Sequence, residues 1–362
     1  FLEILAKERS IDLKEFKNSV YLGIARNFRR YGWLYLLIYG SSPIANNSFA
    51  KGRDHDMEDL NSNDIYKPYA TSLRMGDLGY ISHAQDSLNI SYNSIEDYCS
   101  GLKNALETPY DVYSKIGEFK EGERIQLNDS IIQIENEYYS TIRPKRVCPS
   151  GERPLNVLSN EGIDYLELRC IDLNPTSAIG ITEEQIYFLD LLILFCFFED
   201  SPEINEEESN EIFNNHKIVV NNGRRPDQSL VMGSLEVSIK DEAIRILDGM
   251  VEIAKFMDEV VTFEDENIWM NSLEKQKNTI NDYGLSLSES MLNEISNEEM
   301  SFQQYGMNIS KQHHEEIKNI STYDQDILIQ TAKKSLIDAN DIESSQDADF
   351  EDYLRDFLNK IS

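Results

Sequence analysis

Residues 162–175, with the sequence GIDYLELRCIDLNP, constrain the fold of this chain more than any other segment. They alternate as a β-strand does, and Glu167 and Arg169 lie on one side of it between apolar neighbours. Two opposite charges on a half-buried face need partners that offset their desolvation. The segment by itself favours a cross-strand salt bridge, with a metal-binding carboxylate beside a phosphate-binding arginine as the alternative. The opposite side is a core face, formed by Leu166, Leu168 and Cys170.

Residues 130–146, SIIQIENEYYSTIRPKR, carry the same signature. Isoleucines alternate with polar side chains, which predicts a second strand whose polar face includes the carboxylates of Glu135 and Glu137. A basic cluster follows directly, and it is the densest in an otherwise acidic chain. It consists of Arg143, Lys145 and Arg146.

The charge balance narrows the range of partners. The chain has 362 residues, a formal net charge of -31 and a pI near 4.5, which argues against nucleic acid and anionic membranes as general partners. Its length allows one large domain or two smaller ones. Its four cysteines form no C-x-x-C pair, so we expect reduced thiols in a cytosolic protein. The apolar stretches are too short to span a bilayer, so we expect no membrane partner.

Capping residues and apolar periodicity predict several helical regions. They run from Ser10 to about Gly40, from Ser94 to Thr108, from Thr182 to Phe198, and from Ser238 onward. A long loop is predicted over residues 41–80, a hairpin near Gly122, and an exposed acidic linker over residues 199–211. Strands in mixed order come first and helices dominate later, which predicts an α+β fold with an antiparallel sheet.

A set of carboxylates and arginines remains after common motifs are excluded. The sequence contains no P-loop, no dinucleotide-binding glycine fingerprint and no nucleophile elbow. Mg²⁺ binds through a few carboxylates plus substrate phosphates, and arginines hold phosphate or carboxylate oxygens through paired hydrogen bonds. Tyr80 and Tyr139 either line a small-substrate pocket or are half-buried core residues. The charged set comprises Glu135, Glu137, Glu167, Arg74, Arg143, Arg146 and Arg169.

Three long motifs, PYATSLRMGDLGY, QIENEYYSTIRPKR and GIDYLELRCIDLNP, closely resemble the bacterial, glutamine-synthetase-like type of glutamate–cysteine ligase. RNFRRYGW and GSSPIANNSF precede them in the same order, and the similarity runs from about Ser10 to Met257. The resemblance implies formation of γ-glutamylcysteine from glutamate, cysteine and ATP with Mg²⁺, the first step of glutathione synthesis. It also implies the route, in which the glutamate γ-carboxylate is phosphorylated and the cysteine amine attacks the acyl phosphate.

The resemblance also implies roles for individual residues. Glu167 resembles a Mg²⁺ ligand, Arg169 a contact to the transferred phosphate, and Arg74 the arginine that holds the glutamate carboxylate. Glu135 and Glu137 have no assigned role. Two further sets are expected at the site: cysteine-pocket tyrosines Tyr80 and Tyr139, and the cluster Arg143, Lys145 and Arg146, whose charge places it near the nucleotide or in structural ion pairs.

The family carries an N-terminal portion, with further metal-binding carboxylates, that nothing in this sequence matches. We therefore expect an N-terminally incomplete ligase with an open sheet edge, inactive by itself. The predicted division is a ligase core over residues 1–200 and a mainly helical C-terminal portion over residues 201–362. We expect a cytoplasmic monomer. The alternatives are a carboxylate–amine ligase with another amine acceptor and a non-catalytic helical binding protein.

Overall fold

The computed structural model describes residues 2–79, 82–85, 88–261, 267–318, 325–345 and 349–361. These residues form an α+β fold in which helices dominate and the sheets are small. The named strands that pair do so in antiparallel fashion. The α+β class predicted from the sequence is therefore confirmed. Within these residues, the helices lack the combination of length and apolar character needed to cross a membrane.

The elements follow one another along the described residues. The helices are α1 (Leu2–Glu8), α2 (Leu13–Tyr31), α3 (Trp33–Tyr39), α4 (Asn47–Ala50), α5 (Ile95–Glu107), α6 (Asp111–Ile116), α7 (Pro154–Glu161), α8 (Glu183–Phe198), α9 (Glu206–Asn222), α10 (Ile239–Gly249), α11 (Val251–Val260), α12 (Ile268–Asn281), α13 (Leu287–Asn297), α14 (Phe302–Lys318), α15 (Gln325–Ser344) and α16 (Phe350–Leu358). The strands are β1 (Ile44–Asn46), β2 (Glu58–Asp59), β3 (Asp64–Tyr66), β4 (Phe119–Lys120), β5 (Glu123–Arg124), β6 (Ile142–Lys145), β7 (Tyr165–Leu168), β8 (Ser229–Met232) and β9 (Leu235–Ser238).

The first predicted helix differs from the observed one at its start and in its middle. Ser10 has a φ of 55°, and the cap is Asp12, whose carboxylate accepts from the amides of the first turn of α2. Gly32 separates α2 from α3, although its backbone stays in the αR region with φ -63° and its amide donates to the Phe28 carbonyl at 2.7 Å. A Cβ there would lie 2.6 Å from the same oxygen, so the position favours glycine. Every residue of α3 is buried.

The core is built around α2, α3 and α8. Thr182 caps α8 in a reciprocal capping box with Gln185, as the sequence predicts, and Phe188 and Phe195 are fully buried. The same hydrophobic cluster takes in Val219 of α9 and Leu273 of α12. Side chains from both sides of residue 200 thus share one core, and the division at that position stays a prediction.

Two predicted loops contain regular structure. The loop over residues 41–80 includes the sheet β1-β3-β2, so that prediction is wrong at those strands. The acidic linker over residues 199–211 ends early, because Asn205 caps α9 and three glutamates occupy its first turn. Carboxylates at a helix N-terminus are stabilised by the helix dipole, which explains why an acidic run folds there. The hairpin at Gly122 is confirmed as β4-β5.

The predicted strand over residues 130–146 is wrong along most of its length. Within this segment only Ile142–Lys145 form a strand, β6, and residues Glu135–Glu137 form a 3₁₀ turn. The turn forms because the Glu135 side chain points inward to a buried arginine, which a carboxylate on an exposed strand face cannot do. β6 pairs with β7 in antiparallel register, with Arg143 opposite Glu167. The strand predicted within residues 162–175 is shorter than expected, because only Tyr165–Leu168 form β7, and the pairing places β7 next to the basic cluster.

Candidate active site

The β6-β7 ladder presents one charged face. Residues directly opposite each other in an antiparallel pair share a side of the sheet, and every second residue returns to it. Arg143 lies opposite Glu167, so Lys145 and Arg169 extend the same side along each strand. We call this side, formed by Arg143, Lys145, Glu167 and Arg169, the polar face. The other side of the ladder carries Ile142, Leu166 and Leu168, which pack on the core.

Glu167 has no protein partner for one of its oxygens. Its Oε2 is buried and accepts no hydrogen bond within the described ranges. Among those residues Glu167 also forms no ion pair, so the cross-strand salt bridge with Arg169 is not formed. A buried carboxylate oxygen is costly unless a donor or a cation meets it. Glu167 is therefore the residue of the polar face that a bound cation or hydrogen-bond donor would stabilise most.

The two arginines of the polar face hold the 3₁₀ turn above it. Arg143 donates from Nη2 to the Glu135 carbonyl at 2.7 Å and from Nη1 to the Asn136 carbonyl at 3.4 Å. Arg169 donates to the same Asn136 carbonyl at 3.4 Å. Arg143 is buried, whereas Arg169 remains partly exposed. Arg143 therefore supports the 3₁₀ turn from a buried position, whereas part of the Arg169 side chain is accessible to solvent.

The other two basic residues differ in their surroundings. Burial, followed by the neighbouring charge of Arg143, lowers the pKa of Lys145, and the Glu167 carboxylate opposes this shift. Arg146 lies at the junction of α7 and β7, where Nε donates to Glu161 at 2.8 Å and Nη1 to Asp164 at 3.1 Å. Arg146 is thus held by structural ion pairs, the alternative that the sequence left open.

Arg74 reaches the end of β7 from a distant part of the sequence. It lies in the 3₁₀ turn Leu73–Met75, and its Nε donates to Asp172 Oδ1 at 2.6 Å. Both terminal nitrogens contact the Arg169 carbonyl at 3.4 Å. The Arg74 guanidinium therefore contacts the backbone of Arg169 at the end of β7, and the predicted roles of both residues stay predictions. Sequence analysis missed Asp172, although it belongs to the motif GIDYLELRCIDLNP.

Tyr139 lies on a wall between two cavities. Tyr139 and Gln85 line both a cavity of about 390 Å³ and a larger cleft of about 1000 Å³. Gln85 holds this wall, because its Nε2 donates to the Glu137 carbonyl at 2.7 Å and its Oε1 accepts from the Tyr139 amide at 3.0 Å. Gln85 carried no sequence signal that we recognised. Tyr80, the other predicted pocket tyrosine, lies outside the described residues.

The small cavity and the cleft differ in lining. The small cavity combines aromatic, cationic and hydroxyl groups, and among its lining residues are Tyr138, Phe213, Arg29, His216 and Thr141. The cleft is lined mainly by charged and polar side chains, including Arg53, Asp56, Lys67, His83 and Glu137. Thr141 accepts the Arg169 amide through its carbonyl, so the small cavity borders the polar face. A site at Tyr139 is thus open to a small polar molecule from two sides.

Glu135 has a structural role. Its carboxylate is 3% exposed and accepts from Arg153 Nε at 3.0 Å and from the Leu155 amide at 3.3 Å. Arg153 is fully buried and packs over the Phe357 ring of α16, with 4.6 Å from its guanidinium carbon to the ring centroid. Glu135 thus joins the 3₁₀ turn to α7 and, through Arg153, to the C-terminal helix. If Glu135 bound a metal ion, its ion pair with Arg153 would be broken.

Glu135→Gln is expected to lower the free energy of unfolding by about 2 kcal/mol, because the neutral amide can still accept from Arg153 but no longer compensates its buried charge. Glu137→Gln is the matched control, since that neighbouring carboxylate accepts only the Gln133 amide, at 2.6 Å, among its described contacts. Urea unfolding of both variants measures the difference. Equal loss in both would remove the special role of the Glu135–Arg153 pair.

The site fits an ion that is bound partly by substrate. Within the described ranges, His, Cys, Asp and Glu side chains form no group of three that could hold a metal ion. Mg²⁺ in phosphate-handling enzymes uses one or two carboxylates, with water and phosphate oxygens completing its shell. A single unpartnered carboxylate beside partly exposed arginines is suited to that arrangement. These features are typical of the class of phosphate-binding sites that contain a carboxylate.

Comparison with known proteins identifies the family within that class. The family model described as glutamate–cysteine ligase matches residues 1–219. A glutamate–cysteine ligase of Hahella chejuensis is 36% identical over 366 residues, which cover 100% of this chain and 69% of that protein. One of Pseudomonas putida is 40% identical over 279 residues, covering 77% of this chain and 53% of the relative. The chain belongs to the glutamate–cysteine ligase family, and it spans about half the length of several curated relatives that it matches.

Solved structures agree with this assignment. A glutamate–cysteine ligase of Francisella tularensis in complex with AMP superposes with a TM-score of 0.88 at 26% identity, covering 99% of this chain and 70% of that one. A bifunctional glutathione synthetase of Pasteurella multocida gives a TM-score of 0.58 at 20% identity, covering 83% of this chain and 33% of that one, and shares the fold. The predicted fold class is confirmed.

Proposed function

We propose that this chain carries part of the active site for ATP-dependent ligation of L-glutamate to L-cysteine through a γ-glutamyl phosphate. The observation that carries the proposal is the convergence of Arg74, Arg169 and the unpartnered Glu167 carboxylate at β7. A relative with the same fold has been crystallised with AMP, which supports a nucleotide among the substrates. The product would enter glutathione synthesis.

The polar face supplies what phosphoryl transfer requires. The transferred group carries negative charge on several oxygens, and catalysis depends on positioning the group and neutralising that charge. Glu167 would hold Mg²⁺ through its Oε2, and the ion would supply charge neutralisation on the phosphates. Arg169, partly exposed beside Glu167, would contact the transferred phosphate. Lys145 would add a positive charge on the nucleotide side, while Arg143 and Arg146 support the site through their structural contacts.

Substrate selection would lie at the edges of the polar face. Arg74 would hold the glutamate carboxylate, because its guanidinium is fixed next to Arg169 yet 29% of the side chain remains exposed. Tyr139, together with Tyr80, would line the pocket for cysteine. Holding the amine close to the acyl phosphate is worth several orders of magnitude in rate when the geometry is right. We further propose that the protein is a cytoplasmic monomer and that the chain divides into two parts at residue 200.

The second candidate is a ligase of the same mechanism with a different amine acceptor. The observation in its favour is the size of the small cavity, whose volume of about 390 Å³ has room for amines larger than cysteine. Acceptor choice depends on pocket shape, and one missing or extra group changes rates by only about 10–200-fold.

The test is ATP turnover by the protein expressed from its complete gene. We expect glutamate-dependent phosphate release that requires cysteine and exceeds the rate with 2-aminobutyrate, serine and alanine. The identity of the peptide product is checked by mass spectrometry. Faster turnover with another amine would favour the second candidate. Absence of glutamate-dependent ATP consumption would overturn the proposal in favour of a binding protein.

A further inference from the structure

We propose that Asp172 is a positioning residue for the substrate-binding arginine Arg74. The inference rests on the proposed function, because it concerns how Arg74 is held ready for the glutamate carboxylate. Asp172 Oδ1 accepts the Arg74 Nε hydrogen at 2.6 Å, and the Asp172 side chain is 3% exposed. The pair joins two segments that lie 98 residues apart in the chain.

The Asp172 carboxylate is itself fixed from its other side. Oδ2 accepts from the Ser41 amide at 3.0 Å and from the Ser42 hydroxyl at 2.8 Å. Three donors thus share two oxygens in a buried position. A buried carboxylate with this many hydrogen-bond partners is held in one orientation. Asp172 therefore presents Oδ1 to Arg74 in a constant direction.

Ser42 couples the same carboxylate to the backbone of Arg74. Its hydroxyl accepts from the Arg74 amide at 3.3 Å and lies 3.2 Å from the Ser72 hydroxyl. Its carbonyl accepts from the Leu73 amide at 2.7 Å. The backbone of Arg74, through Ser42, and its guanidinium are thus both linked to the buried Asp172 carboxylate. The long side chain loses its rotamer freedom on folding, and substrate binding is spared that cost.

The orientation has a direct consequence for substrate. Asp172 engages Arg74 through Nε, and the terminal nitrogens lie at the Arg169 carbonyl, on the side of the polar face. A guanidinium held by Nε presents its terminal edge in a defined plane, which suits paired hydrogen bonds to a carboxylate that would replace or share the long contacts to the Arg169 carbonyl. Both oxygens of Asp172 accept hydrogen bonds, so in an asparagine the NH₂ group would face a donor on one side. The amide therefore could not hold the Arg74 guanidinium in that plane.

The test compares Asp172→Asn, Arg74→Ala and the double variant in the protein from the complete gene. Asp172→Asn is expected to raise the KM for glutamate about tenfold or more, from the loss of a charged hydrogen bond, while the KM values for cysteine and ATP change less than about twofold. In the Arg74→Ala background, Asp172→Asn should change the glutamate KM no further, because the residue acts through Arg74.

The outcomes separate this inference from the proposed function. Additive effects of the two substitutions on the glutamate KM, or equal changes for all three substrates, would overturn the positioning role and leave the function standing. An Arg74→Ala variant with an unchanged glutamate KM would overturn the proposed role of Arg74 and the inference with it. A selective, non-additive effect supports both.

Asp64→Asn controls for the loss of any buried carboxylate. Asp64 is fully buried and accepts from the Asn46 amide group at 3.2 Å and the Phe302 amide at 2.8 Å, and none of the described arginines pairs with it. It should lower the melting temperature without a selective change in glutamate KM. If Asp172→Asn does not fold, Ser42→Ala replaces it. A rise of about threefold or more in the glutamate KM alone is expected, because the hydroxyl's hydrogen bonds to the Asp172 carboxylate and to the Arg74 amide are both lost. An unselective change in Ser42→Ala would overturn the inference.

Discussion

Glu167→Gln is expected to lower turnover by orders of magnitude while the fold survives. The amide has the same shape as the carboxylate but is neutral, and a neutral oxygen replaces a charged Mg²⁺ ligand poorly. Folding does not depend on a hydrogen bond to Oε2, because this oxygen has no hydrogen-bond partner in the described part of the protein. Removing a buried charged oxygen that no donor satisfies should even raise the free energy of unfolding slightly.

The measurement combines thermal melting with turnover across a Mg²⁺ titration, in the protein from the complete gene. Partial recovery at high Mg²⁺ is expected if the site is weakened and still binds the ion. Glu236→Gln is a suitable control, since Glu236 is an exposed strand carboxylate on β9, outside the polar face. A destabilised Glu167→Gln variant whose activity keeps the wild-type Mg²⁺ dependence would show that Glu167 is a structural residue.

Arg74→Ala is expected to raise the KM for glutamate far more than that for cysteine. Loss of a bidentate contact to a carboxylate costs about 2–4 kcal/mol, which corresponds to roughly 30- to 1000-fold in affinity. The fold should tolerate the change less well than Glu167→Gln, because Asp172 is left buried without its arginine. The effect on glutamate therefore has to be measured on protein that is shown to be folded.

The readout is a set of Michaelis constants for glutamate, cysteine and ATP, with circular dichroism as the check on folding. Arg245→Ala is the matched control, because Arg245 likewise pairs through Nε with a buried carboxylate, Glu242, at 2.8 Å, and lies outside the polar face. It should change stability without a preference among substrates. Equal increases in the glutamate and cysteine constants for Arg74→Ala would count against a role in holding glutamate.

Elements whose signal is local could be predicted from the sequence. Ser94 and Thr182 cap helices as expected, Gly122 turns a hairpin with a φ of 88°, and residues 165–168 form a strand. Each rests on capping, turn chemistry or side-chain alternation within a few residues, which act before any tertiary contact forms. The family could also be recognised, since its motifs are long and occur in order.

Predictions failed where a distant partner outweighed the local pattern. The alternation in residues 130–146 favoured a strand, but the inward ion pair of Glu135 with Arg153 produced a turn. A buried charge must find its partner wherever the fold supplies one, and that requirement exceeds the small free energy of strand propensity. Likewise, one helix ends and the next begins at Gly32, although the helical pattern of the sequence continues through it, and the second helix, α3, is buried along its whole length.

Capping residues, side-chain alternation and long motifs were enough to predict the helices with strong caps, the α+β class and the family to which the chain belongs. The assembly of the candidate site could be read only from the folded chain: Asp172 behind Arg74, Gln85 behind Tyr139, and Glu167 with an oxygen that no described residue satisfies. The physical reason is that such contacts join residues far apart in the chain. Their energy depends on burial and on direction, which exist only once the core of α2, α3 and α8 has closed around them.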